Sequence, residues 1–365
     1  MTELHGVLPE PLFLRALCLE RKRAERSRKL FVLMLLDAAK PLSNCNGGNV
    51  LLNKAVSAIF PSIRETDIGG WYKEDTALGV IFVELGAMDK QSILIALRIK
   101  VIAALRSNLP TEELIQIHVS FHCFPEDWED HRPGLSTISA LYPDLMQRDE
   151  ARKVSRVIKR AMDVVGSFMA MIILSPVFLA VAVAIKLSSP GPILFRQKRI
   201  GQHGVAFTFL KFRSMDSANS AQMHKEYVKR FIAGGVNSVA SDGDDEVVYK
   251  ITEDPRVTRV GRLLRRTSLD ELPQLFNVLR GEMSMVGPRP PIPYELEAYD
   301  IWHRRRLLEV KPGITGLWQV NGRSRLRFDD MVRLDLEYAK AWSPWLDIKI
   351  LLQTPRAVLS GDGAY

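Results

Sequence analysis

A chain of 365 residues, 47% of them hydrophobic, is long enough for about two domains with real cores, which excludes an intrinsically disordered protein. The formal net charge of +8 is uneven: 17 Lys+Arg stand against 20 Asp+Glu over residues 1–150, and 33 against 22 over 151–365. The cationic excess of the second part adjoins an apolar segment, which favours anionic headgroups or phosphorylated substrates and leaves no nucleic-acid partner expected.

The chain opens without a basic region followed by an apolar stretch, so no cleavable secretory signal is evident and the first part is expected in the cytoplasm. Cys18, Cys45 and Cys123 show no C-x-x-C spacing, which suggests neither a disulfide framework nor a zinc site. Hydrophobic patterning and Gly/Pro punctuation predict a strand over 30–37, a helix near 49–60, strands near 67–73 and 78–85, a helix over 90–107 and a strand over 114–121. That βαββαβ order is the ferredoxin-like arrangement and defines a domain over residues 1–124. His118 and His122 share a strand face with Cys123 following, a pattern open to a metal site or to two satisfied histidines on a buried strand. Residues 125–150 carry Glu126, Asp127, Glu129 and Asp130 and read as an acidic linker with one short apolar helix.

The stretch 161–187 is almost wholly apolar, and as a helix it reaches about 40 Å, more than a bilayer's hydrocarbon thickness. A buried core helix is the alternative. Arg152, Lys153, Arg156, Lys159 and Arg160 precede it, and Lys186, Arg196, Lys198 and Arg199 follow, so both flanks favour the cytoplasmic side. Pro176 removes a helix hydrogen bond, and Ser175 can bond a freed carbonyl. A helix that enters, breaks at Ser175-Pro176 and returns to the same face satisfies both flanks; an ordinary kinked span stands beside it. Next, the stretches 189–201 and 207–215 predict a short hairpin carrying Arg196, Lys211 and Arg213 close to the membrane plane, where cations hold substrate phosphates or merely headgroups. The polar stretch 216–250 reads as a loop over the site.

Thr267-Ser268-Leu269-Asp270-Glu271-Leu272-Pro273-Gln274 sets two carboxylates one turn from Arg265 and Arg266. Asp270 can be a helix N-cap, and Glu271 can complete a capping box from Ser268. A helix N-terminus also keeps an aspartate ionised and offers N–H groups to a phosphate; a carboxylate can attack phosphorus, and its neighbour can hold Mg²⁺. Gly287-Pro288-Arg289-Pro290 is a rigid turn presenting one guanidinium, whose planar fork suits phosphate oxygens.

From about Lys159 to Tyr365 the chain resembles the bacterial sugar transferases, the monotopic phosphoglycosyl transferases. The stretches that carry the likeness are Arg160-Ala161-Met162-Asp163, Phe195-Arg196-Gln197, Lys211 to Met215, Arg265 to Leu279, Val286 to Pro290 and Lys311 to Arg323. The resemblance implies transfer of a sugar 1-phosphate from a UDP-sugar to polyprenyl (undecaprenyl) phosphate at the cytoplasmic face of the bacterial inner membrane, initiating a surface glycan. It also implies Asp270 as the nucleophile that carries the phosphosugar and releases UMP, Mg²⁺ held by Glu271 with Asp270, and Arg265 and Arg289 on phosphate. Arg323 is a candidate for reaching the nucleotide, and Ser175-Pro176 matches the break of the family's re-entrant helix. The C-terminal run Tyr338 to Ile350 looks like the exopolysaccharide-initiating branch, which often uses UDP-hexoses. Trp342 and Trp345 can anchor an interfacial helix or pack in a core.

Residues 30–124 resemble the nucleotide-cyclase-like domain of GGDEF proteins, with Asp37 at the position of its metal-binding aspartate. Lys73-Glu74-Asp75-Thr76 replaces the signature and lacks its paired glycines. A regulatory or dimerising module, and with it a homodimer, is expected rather than a cyclase. The fold expected overall is α+β: a ferredoxin-like domain, then a re-entrant membrane helix with a small, mainly helical catalytic domain over 151–365. Two other readings remain: a one-step reaction in a ternary complex with Asp270 as metal ligand, and a membrane-bound nucleotide sensor for glycan assembly with an inactive transferase half.

Overall fold

The computed structural model describes residues 7–38, 46–86, 89–125, 135–215, 229, 232, 257–322 and 326–359, arranged as two compact units, 1–149 and 150–365. The expected loop 216–250 lies outside the described residues apart from 229 and 232, as do Arg323 and the chain end after 359.

The first unit is a mixed α/β fold. Its strands β1 (Phe31–Ala38), β2 (Ile68–Lys73), β3 (Ala77–Phe82) and β4 (Ile117–Phe124) form one antiparallel sheet in the order β2-β3-β1-β4, the ferredoxin-like order expected from the sequence. Helices α1 (Glu10–Ser27), α2 (Asn46–Ile59), α3 (Lys90–Asn108) and the single turn α4 (Thr111–Leu114) complete the alternation. Val32, Met34 and Leu36 project from β1 into a core shared with Leu52, Ala55, Val56 and Ile59 of α2 and Ile93, Leu97, Val101 and Leu105 of α3. Two departures from the sequence expectation have packing causes. Helix α1, unread in the sequence, buries Phe13 completely where the cross-strand pair Gly70–Gly79 clears a slot; a Cβ on Gly79 would overlap the Phe13 ring. Strand β4 begins three residues late because 111–114 close a helical turn, and its register pairs Phe124 with Phe31, their rings stacked at 5.1 Å.

Within the stretch read as a linker, α5 (Leu135–Leu141) and α6 (Pro143–Ala151) pack on this first unit. Tyr142 lies edge-on to Phe124, and Arg21 of α1, buried beneath the Tyr142 ring, bonds Asp144.

The second unit starts with α7 (Lys153–Ile173) and α8 (Ser175–Ser188), which meet at Leu174 with a bend of 62°. Pro176 lies in the first turn of α8, where its missing N–H is harmless, and Ser175 Oγ donates to Ile172 O at 2.8 Å. No single helix among the described residues is long and apolar enough to cross a membrane, whereas this bent pair passes by length and composition together. The hairpin β5 (Leu194–Ile200) and β6 (Ala206–Phe212) follows as expected, then α9 (Arg259–Arg266), a 3-10 turn Leu269–Glu271 and α10 (Gln274–Arg280). Strand β7 (Ser284–Val286) pairs in parallel with β8 (Gly313–Thr315); α11 (Pro293–Ala298) and α12 (Ile301–Glu309) lie between them in sequence, and α13 (Leu317–Asn321), α14 (Phe328–Ala341) and α15 (Pro344–Leu359) close the unit.

Candidate active site

Asp270 sits in the 3-10 turn, entered through Ser268 in the left-handed region at φ 54°, an unfavourable conformation for a residue with a Cβ. It is not the N-cap of α10: that position is Pro273, and Ser268 forms no capping box. The turn packs against α9 and β6, and β6 supplies the countercharge. Lys211 Nζ lies 2.9 Å from Glu271 Oε1 and 3.5 Å from Asp270 Oδ2, while Asp270 is only 6% exposed. Two adjacent carboxylates beside the Lys211 ammonium form a compact anionic site with a built-in cation.

Asn277, unread in the sequence, fixes this arrangement. Fully buried, it accepts from Leu210 N at 3.1 Å and donates to Thr208 O at 2.7 Å and Glu282 Oε2 at 2.6 Å, locking α10 to β6 just ahead of Lys211. The available signal was a polar residue inside the apolar run Leu275-Phe276-Asn277-Val278-Leu279.

The remaining expected cations take different places. Arg265 is half-buried on α9, and Arg196 is exposed on β5. Arg213, expected to hold phosphate, is buried and donates to Pro190 O and Ser189 O, each at 2.7 Å, and to Ser189 Oγ at 2.8 Å. Its guanidinium pins the turn between α8 and the hairpin, where Gly191 at φ 121° leaves the space a Cβ would take from Nη1. Arg289 borders a small cavity with Glu295, Tyr299, Arg306 and Trp318. Its loop is held by Arg199, whose Nη1 donates to Pro290 O at 2.6 Å, and by Ile200 N, which donates to Pro291 O.

The cations that precede the apolar segment, read from the sequence as a flank favouring the cytoplasmic side, make specific contacts within the second unit. Arg152 caps α14 at Ala339 O and Lys340 O, and Arg160 caps α10 at Val278 O and Leu279 O. Lys159 Nζ pairs with Asp347 Oδ2 at 2.6 Å; the same carboxylate accepts from Tyr338 and Trp342. Burial, with Asp347 alongside, pushes the Tyr338 hydroxyl well above its ordinary pKa. Asp163, the one acid within the apolar segment, is buried and accepts from Ser284 Oγ and Met285 N, both at 2.9 Å. Lys311 donates to Gly281 O at 2.8 Å, and burial together with Arg160 lowers its pKa. The foot of α7 is thus bonded to α10, β7, α14 and α15.

Trp342 is buried, whereas Trp345 is 72% exposed, so the two tryptophans divide between core and surface. In the first unit, Asp37 is exposed with Oδ1 3.1 Å from His118 Nδ1, and His122 is buried against Ser120, burial lowering its pKa. Among the described residues no group of three or more His, Cys, Asp or Glu could hold a metal ion. At the second unit's dyad, Asp270 and Glu271 offer two hard carboxylates. That set fits Mg²⁺, which commonly takes one or two protein carboxylates and completes its shell with substrate phosphates and water.

The carboxylate turn, its lysine and the bent apolar pair all fall within residues 154–361, which match the bacterial sugar transferase family; the chain belongs to that family. It is 44% identical over 222 residues to the undecaprenyl-phosphate galactose phosphotransferase of Salmonella typhimurium, covering 60% of this chain and 44% of that protein. It is 41% identical over 214 residues to the exopolysaccharide production protein ExoY of Sinorhizobium fredii, covering 59% of this chain and 91% of the relative. The UDP-glucose:undecaprenyl-phosphate glucose-1-phosphate transferase of Escherichia coli is 42% identical, with 55% and 40% covered. The chain therefore spans less than half the length of the Salmonella and Escherichia relatives. A solved structure described as a DGC protein from Thermotoga maritima is 18% identical over 34% of this chain and 88% of its own, with a TM-score of 0.26, too low to inform the fold.

Proposed function

We propose that the protein transfers a sugar 1-phosphate from a UDP-hexose to undecaprenyl phosphate at the cytoplasmic face of a bacterial inner membrane, initiating a surface glycan. The observation that carries this reading is the Asp270–Glu271 pair on its strained turn, clamped by Lys211, in a chain of the sugar transferase family. An Asp270 carboxylate oxygen attacks the sugar-bearing phosphorus; the bond to the bridging oxygen breaks and UMP leaves. A phosphate oxygen of the lipid then attacks the same phosphorus and frees Asp270. Mg²⁺ held by Glu271 with Asp270 would supply charge neutralisation of the diphosphate. Lys211 supports phosphate charge from β6, and Arg265 is assigned a further phosphate oxygen. Arg289, Arg196 and Arg323 are proposed contacts to the rest of the donor or to lipid phosphate. Arg213 is assigned to the turn it holds.

Membrane attachment through a re-entrant α7–α8 pair is part of the proposal. It is supported by the 62° bend and by exposed Phe168, Ile172, Ile173, Leu179 and Leu187 on both helices, too extended an apolar surface to leave in water. The first unit is assigned a regulatory or dimerising role. The test is UMP release from a panel of UDP-sugars by purified protein with Mg²⁺ and undecaprenyl phosphate, beside Asp270→Asn. Release with one sugar, abolished by the substitution, is expected, with phosphosugar trapped on Asp270 when lipid is withheld. Release that survives Asp270→Asn would remove Asp270 from the chemistry and favour a one-step ternary reaction.

A further inference from the structure

Helix α3 of the first unit carries two stripes. Ile93, Leu97, Val101 and Leu105 recur every fourth position and are buried against the sheet and α2. On the opposite side Ile95, Ile99 and Ile102, spaced i, i+4 and i+7, are 58%, 65% and 43% exposed. Lys100 and Arg106 are exposed beside them, Arg98 is exposed with its guanidinium 5.9 Å from the Phe121 ring of β4, and among the nineteen residues of the helix there is no aspartate or glutamate. A surface helix of a soluble domain ordinarily puts mixed charges on its outer face.

We propose that this outer face of α3 is a docking surface for an anionic lipid bilayer, its isoleucines entering the headgroup–acyl boundary and Lys100 and Arg106 meeting lipid phosphates. Charge complementarity selects this occupant. Exposed isoleucines flanked by cations, without acids, are the composition of helices that lie in an anionic interface. A second copy of the chain meeting this face by twofold symmetry would bring together two helices that carry cations and no acids, leaving like charges with nothing on either helix to neutralise them. The inference concerns the first unit and does not depend on the transferase reading.

Full-length protein bearing a nitroxide on p-acetylphenylalanine at Ile99, or separately at Leu179 of α8, tests it after reconstitution into bilayers of phosphatidylcholine alone or mixed with phosphatidylglycerol. The expected result at position 99 is lost collision with a water-soluble nickel reagent and gained collision with oxygen, in the phosphatidylglycerol bilayer only. High salt should reverse it, and each cation removed in Lys100→Gln and Arg106→Gln should weaken the partitioning about fivefold. The salt arm leaves α3 unaltered, so a misfolded variant does not remove the test. Aqueous exposure at 99 in the phosphatidylglycerol bilayer overturns the proposal, as does spin–spin broadening between labels at 99 without lipid, which would make a second copy the occupant. Lipid exposure at 179 with water at 99 leaves membrane attachment standing and rejects only the α3 surface; the reverse pattern upholds α3 and rejects the re-entrant pair.

Discussion

Lys211 and Asp270 stand 3.5 Å apart across β6 and the 3-10 turn, and Glu271 shares the same ammonium at 2.9 Å. The Lys211 ammonium therefore restrains both carboxylates without any substrate, and in the proposed reaction it would stand beside the transferred phosphoryl group. Lys211→Met is expected to lower kcat for UMP release about a hundredfold, the usual effect of deleting one preorganised charge-stabilising group. An unchanged kcat would assign Lys211 to structure alone.

Asn277 satisfies a backbone N–H and a backbone carbonyl of β6 from inside α10. Asn277→Leu leaves both groups buried without their partner, and a loss of about 2–4 kcal/mol is expected. Thermal unfolding should show the lower midpoint, and UMP release should fall with it because the same contact seats the end of β6 that carries Lys211.

Arg306 and Asp335 form a buried ion pair at 2.7 Å, with Tyr299 donated to by the same guanidinium. Burial pushes the Asp335 carboxyl up from 3.8 to about 6 despite Arg306. A raised folded pKa means that the native state holds this proton more tightly than the unfolded chain, so the contribution is present below pH 3.8 and is lost as pH rises through about 6. Unfolding midpoints should therefore carry a declining component across that window. Asp335→Asn, destabilised throughout because Arg306 loses its partner, should lack it.

Ser175 and Pro176 set the break between α7 and α8. Ser175→Ala with Pro176→Ala restores an uninterrupted helical pattern, and the segment is then expected to cross the bilayer. In a background without native cysteines, Lys153→Cys and Lys198→Cys should react with an impermeant thiol reagent from one side in the parent and from opposite sides in the variant. Same-side reaction in both would place the cause of the bend in packing rather than in these two residues.

By itself the sequence determined the features that depend on local patterning. Alternation and turn residues set the βαββαβ order, because strand and helix periodicities differ over a few residues. The apolar stretch 161–187 and its Ser175-Pro176 interruption were legible because length, hydropathy and a missing N–H are properties of contiguous residues. The pairing of Asp270 with Glu271 was legible from adjacency, and the family likeness from motifs in a shared order. Tertiary structure alone decided which cation each carboxylate meets. Arg213 and Lys211 lie two residues apart at the end of β6 with similar chemistry, yet one is turned to the carbonyls of Ser189 and Pro190 and the other to the dyad. Arg152, Lys159 and Arg160 were legible only as a flanking charge bias, while the structure has them cap helices and pair with Asp347, contacts more than a hundred residues away in sequence. Helix α1 went unread because its burial rests on a slot cleared by Gly70 and Gly79, residues brought opposite each other only by the sheet. Charge and hydropathy are written residue by residue, but partners separated by long stretches of chain meet only once the backbone's hydrogen bonds and the packed core have fixed their positions.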